Sequence, residues 1–199
     1  YHLQLSGDTG DDFAQFIREL SLLTHKEGLA LSVDNYVPEV YSEHYRRDVQ
    51  GEFVDYVLIM GYDENVSEVG PNASIEFVAN GIDKTLEDVP ASRVINAMPF
   101  YSRIWEDSGS GANCITAGMG ETRSFVADRG GSFTWNDSYG CNYSEFSSGG
   151  STYYVWLEDG DSIKLKLDVA AGNDLAGVGY WKLGLEDASV WAIIKQYLS

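Results

Sequence analysis

Basic residues are scarce in this chain. Thirteen Lys and Arg stand against 31 Asp and Glu, a net charge of −18 over 199 residues. Such a surface repels a phosphate backbone, which argues against nucleic acid as a partner. The same charge also suits a soluble secreted or cell-surface protein. Histidine and cysteine are nearly missing, at three and two residues. With no CxxC and no clustered His, zinc is not expected. No metal-ligand spacing and no Ser/His/Asp arrangement is visible, and no cofactor is implied. No apolar run approaches the roughly 18 residues of a membrane helix. No basic segment followed by an apolar one opens the chain, which starts with Tyr1. The expectation is that these residues belong to a longer protein. No GxGxxG follows any strand-like run, so nothing supports a nucleotide site.

What is present is a globular composition, 44% hydrophobic and 13% aromatic. The length suits one domain with a sizeable core. It falls short of the ~250 residues of a complete (β/α)8 barrel. Cys114 and Cys141 sit in one Gly/Ser-rich region. They either close a long loop as a disulfide or stay unpaired.

Helical spacing of Phe13, Phe16, Ile17, Leu20 and Leu23 predicts a helix over residues 11–27, stopped by Gly28. Alternation predicts a strand over 29–37, ended by Pro38. A short polar helix is expected over 42–50. An apolar strand over 55–62 suits burial on both faces. Helices over 74–87, 162–171 and 190–198, and strands over 94–101 and 177–183, complete the rhythm. Residues 106–160 break it, with a short helix near 118–129 and a hairpin over 141–157. Strands and helices that alternate strictly mean parallel strands with right-handed crossovers. Four such strands are half of an eight-stranded barrel, and an open doubly wound sheet also fits.

Three strands end in chemistry-bearing residues, and a barrel places its active site at such ends. The first is DYVLIMGYD, Asp55 to Asp63. Met60 and Tyr62 share a face, and Asp63 closes the run. The second carries Tyr101 and Arg103 after Pro99, a flat ring with a polar tip and a fork of fixed donors. The third brings Trp181 among small residues, either a packing plug or a platform for a sugar face. Asp34 ends its own strand and is weaker evidence. Trp135 and Trp156 read as the small core of the 106–160 segment. His25 and His44 read as solvated helix residues.

The segments QFIREL from Gln15, LSVD from Leu31, DYVLIMGYD from Asp55, PFYSR from Pro99, WLED from Trp156 and GYWKLGLE from Gly179 together resemble glycoside hydrolase family 18. These are chitinase-like barrels, and the resemblance is strongest to the bacterial branch that includes spore-cortex-lytic N-acetylglucosaminidases. It implies an α/β fold in which residues 1–199 form the C-terminal half (strands 5–8) of a (β/α)8 TIM barrel. A small α+β insertion, residues 106–160, would lie between strand 7 and helix 7. It implies substrate-assisted retaining hydrolysis of β-1,4-linked N-acetylglucosamine polymers, chitin or peptidoglycan, outside the cell or at the wall or spore. Tyr62 would hydrogen-bond the acetamide, Asp63 would bind the sugar and Trp181 would floor the subsite. Met60, Tyr101 and Arg103 would line it, and Asp34 could face the same mouth. The family's acid Glu ends a D-x-x-D-x-D-x-E run, which does not occur in these residues. Its aligned place is about Leu3, with Tyr1 where the last Asp would be. This leaves three readings: the C-terminal half of a glycosidase whose acid lies before residue 1, a non-catalytic sugar-binding module, or a half-barrel whose open edges pair with another chain.

Overall fold

The computed structural model describes residues 9–198. The barrel elements are α1 (Gly10–Lys26), β1 (Ser32–Tyr36), α2 (Arg47–Phe53), β2 (Tyr56–Met60), α3 (Ile75–Leu86) and β3 (Val94–Pro99). An insert follows: β4 (Tyr101–Asp107), β5 (Ala112–Gly118), α4 (Met119–Asp128), β6 (Thr134–Asn136), β7 (Cys141–Ser148) and β8 (Ser151–Leu157). Then α5 (Gly160–Gly172), β9 (Gly177–Trp181) and α6 (Val190–Ile194) return to the barrel. The polar helix expected over 42–50 is instead a 3-10 helix, Val40–Tyr45, followed by α2.

β1, β2, β3 and β9 pair in that order, each neighbour parallel. A doubly wound sheet would reverse its strand order, and this one does not. The wall is therefore part of a TIM barrel. Val33, Val57, Ile59 and Val94 face the helices, where Ile17, Val78 and Ile82 cover them. Fully burying each such side chain contributes roughly 1.5–3 kcal/mol. Ser74 starts α3, its hydroxyl accepting the Phe77 N–H at 3.2 Å. Asp159 and Ser162 form a capping box at the start of α5. The opposite face of the sheet carries Asp34, Tyr36, Tyr56 and Trp181, all exposed. In a closed barrel that face is the packed interior.

Two expectations about apolar surface need correction. In α1 the buried residues are Gly10, Ala14, Ile17 and Ser21, while Phe13, Phe16 and Leu23 are exposed. Small side chains let the helix lie close to its neighbours, and the bulkier stripe is turned outward. Trp135 is also exposed, its indole N–H donating to Asp137 Oδ1 at 2.7 Å, whereas Trp156 is buried beside Trp105 and Cys141.

The insert sheet runs β5-β4-β8-β7-β6, with antiparallel neighbours. It starts at Tyr101, earlier than the expected 106, and its last strand ends at Leu157. Barrel strand β3 stops at Pro99, and the Phe100 N–H bonds to Trp181 O at 2.7 Å. The chain then leaves the barrel, so Tyr101 and Arg103 belong to the insert and not to the barrel strand. Cys114 and Cys141 are both free. They lie on β5 and β7, with β4 and β8 between. At ~4.8 Å per strand this is a separation on the order of 14 Å, beyond the roughly 7 Å that a disulfide spans.

A buried ion pair fastens the insert to the barrel. Lys166 Nζ meets Glu158 Oε2 at 2.6 Å with both side chains almost fully buried. Ser162 Oγ donates to the same oxygen at 2.9 Å, and the Glu158 N–H donates to Ser102 Oγ at 2.9 Å. Burial pushes the Glu158 carboxyl up, and Lys166 opposes that shift. Lys166→Ala should cost about 3–5 kcal/mol in urea unfolding, because it strands a buried charge. Glu158→Leu combined with Lys166→Met should recover most of that loss; a double variant as weak as the single one would refute this account. The open inner face and the α1 stripe should also make the 199-residue chain self-associate. Sedimentation velocity should show species growing with concentration, and Phe16→Glu with Leu23→Glu should shift them toward monomer.

Candidate functional site

The site forms where β2 ends. Gly61 is required there, because a Cβ would lie 2.5 Å from Asn96 Oδ1 and 3.0 Å from Ala97 O. Its N–H instead bonds to Ala97 O at 3.0 Å. Tyr62 follows, and Asp63 adopts a left-handed backbone, φ 63°. For a residue other than Gly this costs on the order of 1–2 kcal/mol, so its surroundings must hold it.

Two groups from β4 converge on one oxygen of Asp63. Tyr101 Oη donates to Oδ1 at 2.5 Å, and Arg103 Nη2 donates to it at 2.6 Å. No described residue donates to Oδ2, and the carboxylate is partly open to solvent. The Tyr62 and Tyr101 rings meet edge-on, centroids 6.2 Å apart. Burial pushes the Tyr62 phenol up to about 12, helped by the charges of Asp63 and Asp34. Burial and the bond to Asp63 push the Tyr101 phenol up further. Both therefore stay protonated donors at neutral pH. Arg103 also donates through Nη1 to Cys114 Sγ at 3.4 Å. Burial works against its charge, but Cys114 and Asp63 outweigh that and hold the guanidinium above its usual range.

Met60 closes β2, in register with Tyr36 on one side and Ala97 on the other. Asp34 stands on the same inner face, in register with Leu58. Trp181 ends β9 opposite Pro99, is 55% exposed, and precedes a cis peptide to Lys182. Tyr62, Asp63, Tyr101 and Arg103 thus form one contact cluster. Met60 and Asp34 lie on the inner face below it, and Trp181 stands two strands away on the same rim. The sequence reading missed Asn72, which is fully buried beneath the cluster. A single Asn in a Gly-Pro turn gives no signal of its own. It also missed the pairing of His25 with Asp55, Nε2 to Oδ2 at 3.1 Å. Among the described residues no three His, Cys, Asp or Glu stand close enough to hold a metal.

The arrangement offers an open carboxylate oxygen, a neutral phenol donor and a flat indole on one rim. These groups stand at the C-terminal edge of a parallel wall, the side on which (β/α) barrels carry their active sites. The chain belongs to the glycosyl hydrolases family 18, whose family model matches residues 4–186. It is 27% identical over 195 residues to the cortical fragment-lytic enzyme of Bacillus subtilis, covering 92% of this chain and 45% of that protein. Its structure resembles a chitinase from Chromobacterium violaceum, with a TM-score of 0.87 at 26% identity, covering 96% of this chain and 62% of the other. It also shares the fold of the spore cortex-lytic enzyme SleL of Bacillus megaterium, TM-score 0.86 at 20% identity, covering 96% and 46%. The chain spans about half the length of the curated relative. No described helix is long and apolar enough to cross a membrane.

The raised Tyr62 phenol has a consequence for stability. Between the ordinary value of 10.0 and about 12 the folded state binds more protons than the unfolded one. Stability linked to Tyr62 is therefore full below pH 10 and falls as pH rises through 12. Urea midpoints measured across this window should fall less steeply in Tyr62→Phe than in the parent chain. Identical slopes would show that Tyr62 is not the group responsible.

Proposed function

We propose that this chain supplies the sugar-holding wall of a family 18 glycosidase that cleaves β-1,4-linked N-acetylglucosamine polymers, chitin or peptidoglycan. The reaction is substrate-assisted and retaining, outside the usual two-carboxylate scheme. A Glu protonates the glycosidic oxygen, and the acetamide oxygen of the substrate attacks the anomeric carbon. Tyr62 donates to that acetamide. Asp63 accepts from the sugar through Oδ2, because Tyr101 and Arg103 occupy Oδ1. Trp181 floors the subsite, and Met60, Tyr101 and Arg103 line it, with Asp34 facing the same mouth. The acid comes from outside these residues, so this chain alone binds sugar without hydrolysing it. The setting is extracellular, at a cell wall or spore; the cortical fragment-lytic relative supports that placement.

The observation that carries this reading is the single oxygen of Asp63 shared by Tyr101 and Arg103. Two donors hold Oδ1 and leave Oδ2 of this partly exposed carboxylate without a described donor, a preorganised acceptor for a polar ligand. A second reading, a non-catalytic carbohydrate-binding module, is favoured by the lack of any D-x-x-D-x-D-x-E run in the 199 residues. The coding sequence upstream of Tyr1 separates the two. Barrel strands ending in that run support the enzyme, and a natural start at Tyr1 or a replaced Glu supports the module. For either reading, calorimetric titration with tri-N-acetylchitotriose should show binding. Trp181→Ala should weaken it by roughly tenfold, about 1.4 kcal/mol. Equal affinity in the two proteins would remove Trp181 as a platform.

A further inference from the structure

We infer that Asn72 is the positioning residue that holds Asp63 in its ligand-ready orientation, an inference that rests on the sugar-binding reading above. Asn72 uses both ends of its carboxamide. Oδ1 accepts the Asp63 N–H at 3.2 Å and Arg103 Nε at 3.3 Å. Nδ2 donates to Tyr101 O at 2.9 Å. Its backbone carbonyl accepts the Glu64 N–H at 3.0 Å. One fully buried side chain therefore touches three of the four residues of the cluster, Asp63, Tyr101 and Arg103.

The chemistry of the amide explains why this position suits Asn. A carboxylate has no donor for Tyr101 O, and an aliphatic side chain has neither donor nor acceptor. The two Oδ1 contacts act in concert. One captures the amide of a residue in a left-handed backbone, which L side chains rarely adopt. The other aligns the guanidinium that grips the carboxylate of that same residue. Backbone and side chain of Asp63 are fixed from one atom. The Nδ2 contact ties the first residue of β4 to the loop between β2 and α3, and so joins insert to barrel at the proposed sugar mouth. Asn72 itself is fully buried and acts through Asp63, Tyr101 and Arg103.

The test separates positioning from simple packing by using two neighbouring amides. The Asp63 N–H depends on the Asn72 side chain, whereas the Glu64 N–H depends on its backbone carbonyl. In ligand-free Asn72→Leu the Asp63 amide should exchange hydrogen roughly tenfold or more faster, with Glu64 unchanged. Asn72→Asp keeps an acceptor and should restore protection of Asp63. If the Asp63 amide is unaffected in Asn72→Leu, the inference is wrong. It is equally wrong if both amides speed up together in both variants, since that is general loosening. Should Asn72→Leu fail to fold, Asn72→Ser, too short to reach, takes its place with the same outcomes. A second arm titrates tri-N-acetylchitotriose, where Asn72→Leu should weaken binding by roughly fivefold or more. Loss of binding in Trp181→Ala but not in Asn72→Leu overturns the inference and leaves the sugar site standing. No binding by the parent chain overturns the proposed function instead, and the exchange experiment then decides on Asn72 alone.

Discussion

The strand period of two is the constraint on which the structure depends. In β1 and β2 alternate residues go under the helices, and the remainder face the other way. The covered set supplies the core through Val33, Val57 and Ile59, and its one polar member, Asn35, is bonded to Gln50. The uncovered set includes Asp34, Tyr36, Tyr56, Met60 and, at the end of β9, Trp181. A one-residue slip would move the core set into water and the polar set under helices, so the register that buries the core also aims the candidate site. Gly61 then lets β2 run close enough to β3 to deliver Tyr62 and Asp63 to the rim.

The rim is completed by a second sheet with different connectivity. β4 brings Tyr101 and Arg103 over the end of β2, and its placement depends on buried polar links. Ser102, between those two residues, holds the Glu158 N–H, and Glu158 is paired with Lys166 on α5. Arg123 and Asn142 both reach Asp159 Oδ2 at 2.9 Å, so the next residue along is tied as well. Such pairs add little net stability over an apolar core, but they link β4, β8 and α5 through directional bonds between named atoms. The candidate site thus combines a floor set by hydrophobic burial with a wall set by directional bonds.

Much of this was legible in the sequence. β2 is an unbroken apolar run, α3 has an N-cap Ser and a periodic face, and the β7–β8 turn contains Gly149 and Gly150 at positive φ. Local rules decide such elements. The α1 face was misread because Phe13, Phe16 and Leu23 are apolar at helical spacing, while burial chose the smaller stripe. Hydrophobicity does not say which of two apolar stripes meets the sheet. Tyr101 and Arg103 were identified as site residues but assigned to the barrel strand. Only the Phe100 to Trp181 bond shows where the chain departs. Asn72 was invisible because its role consists of four contacts, two of them to Tyr101 and Arg103, which are close to it only in space. The free state of Cys114 and Cys141 likewise follows from strand order, which spacing along the chain does not encode.

The antiparallel insert joins the barrel at its root, where Tyr101 follows β3 and Leu157 leads into α5. Its chemistry-bearing residues, Tyr101 and Arg103, sit at that root, while the tip at Ser148–Ser151 is far from them along the hairpin. Lengthening or shortening the tip would leave the parallel sheet and the Asp63 cluster undisturbed, and under the proposed function it would change how high a wall stands beside a bound polymer. Under that proposal, groove depth and sugar grip are separate variables, so one can diversify while the other stays fixed.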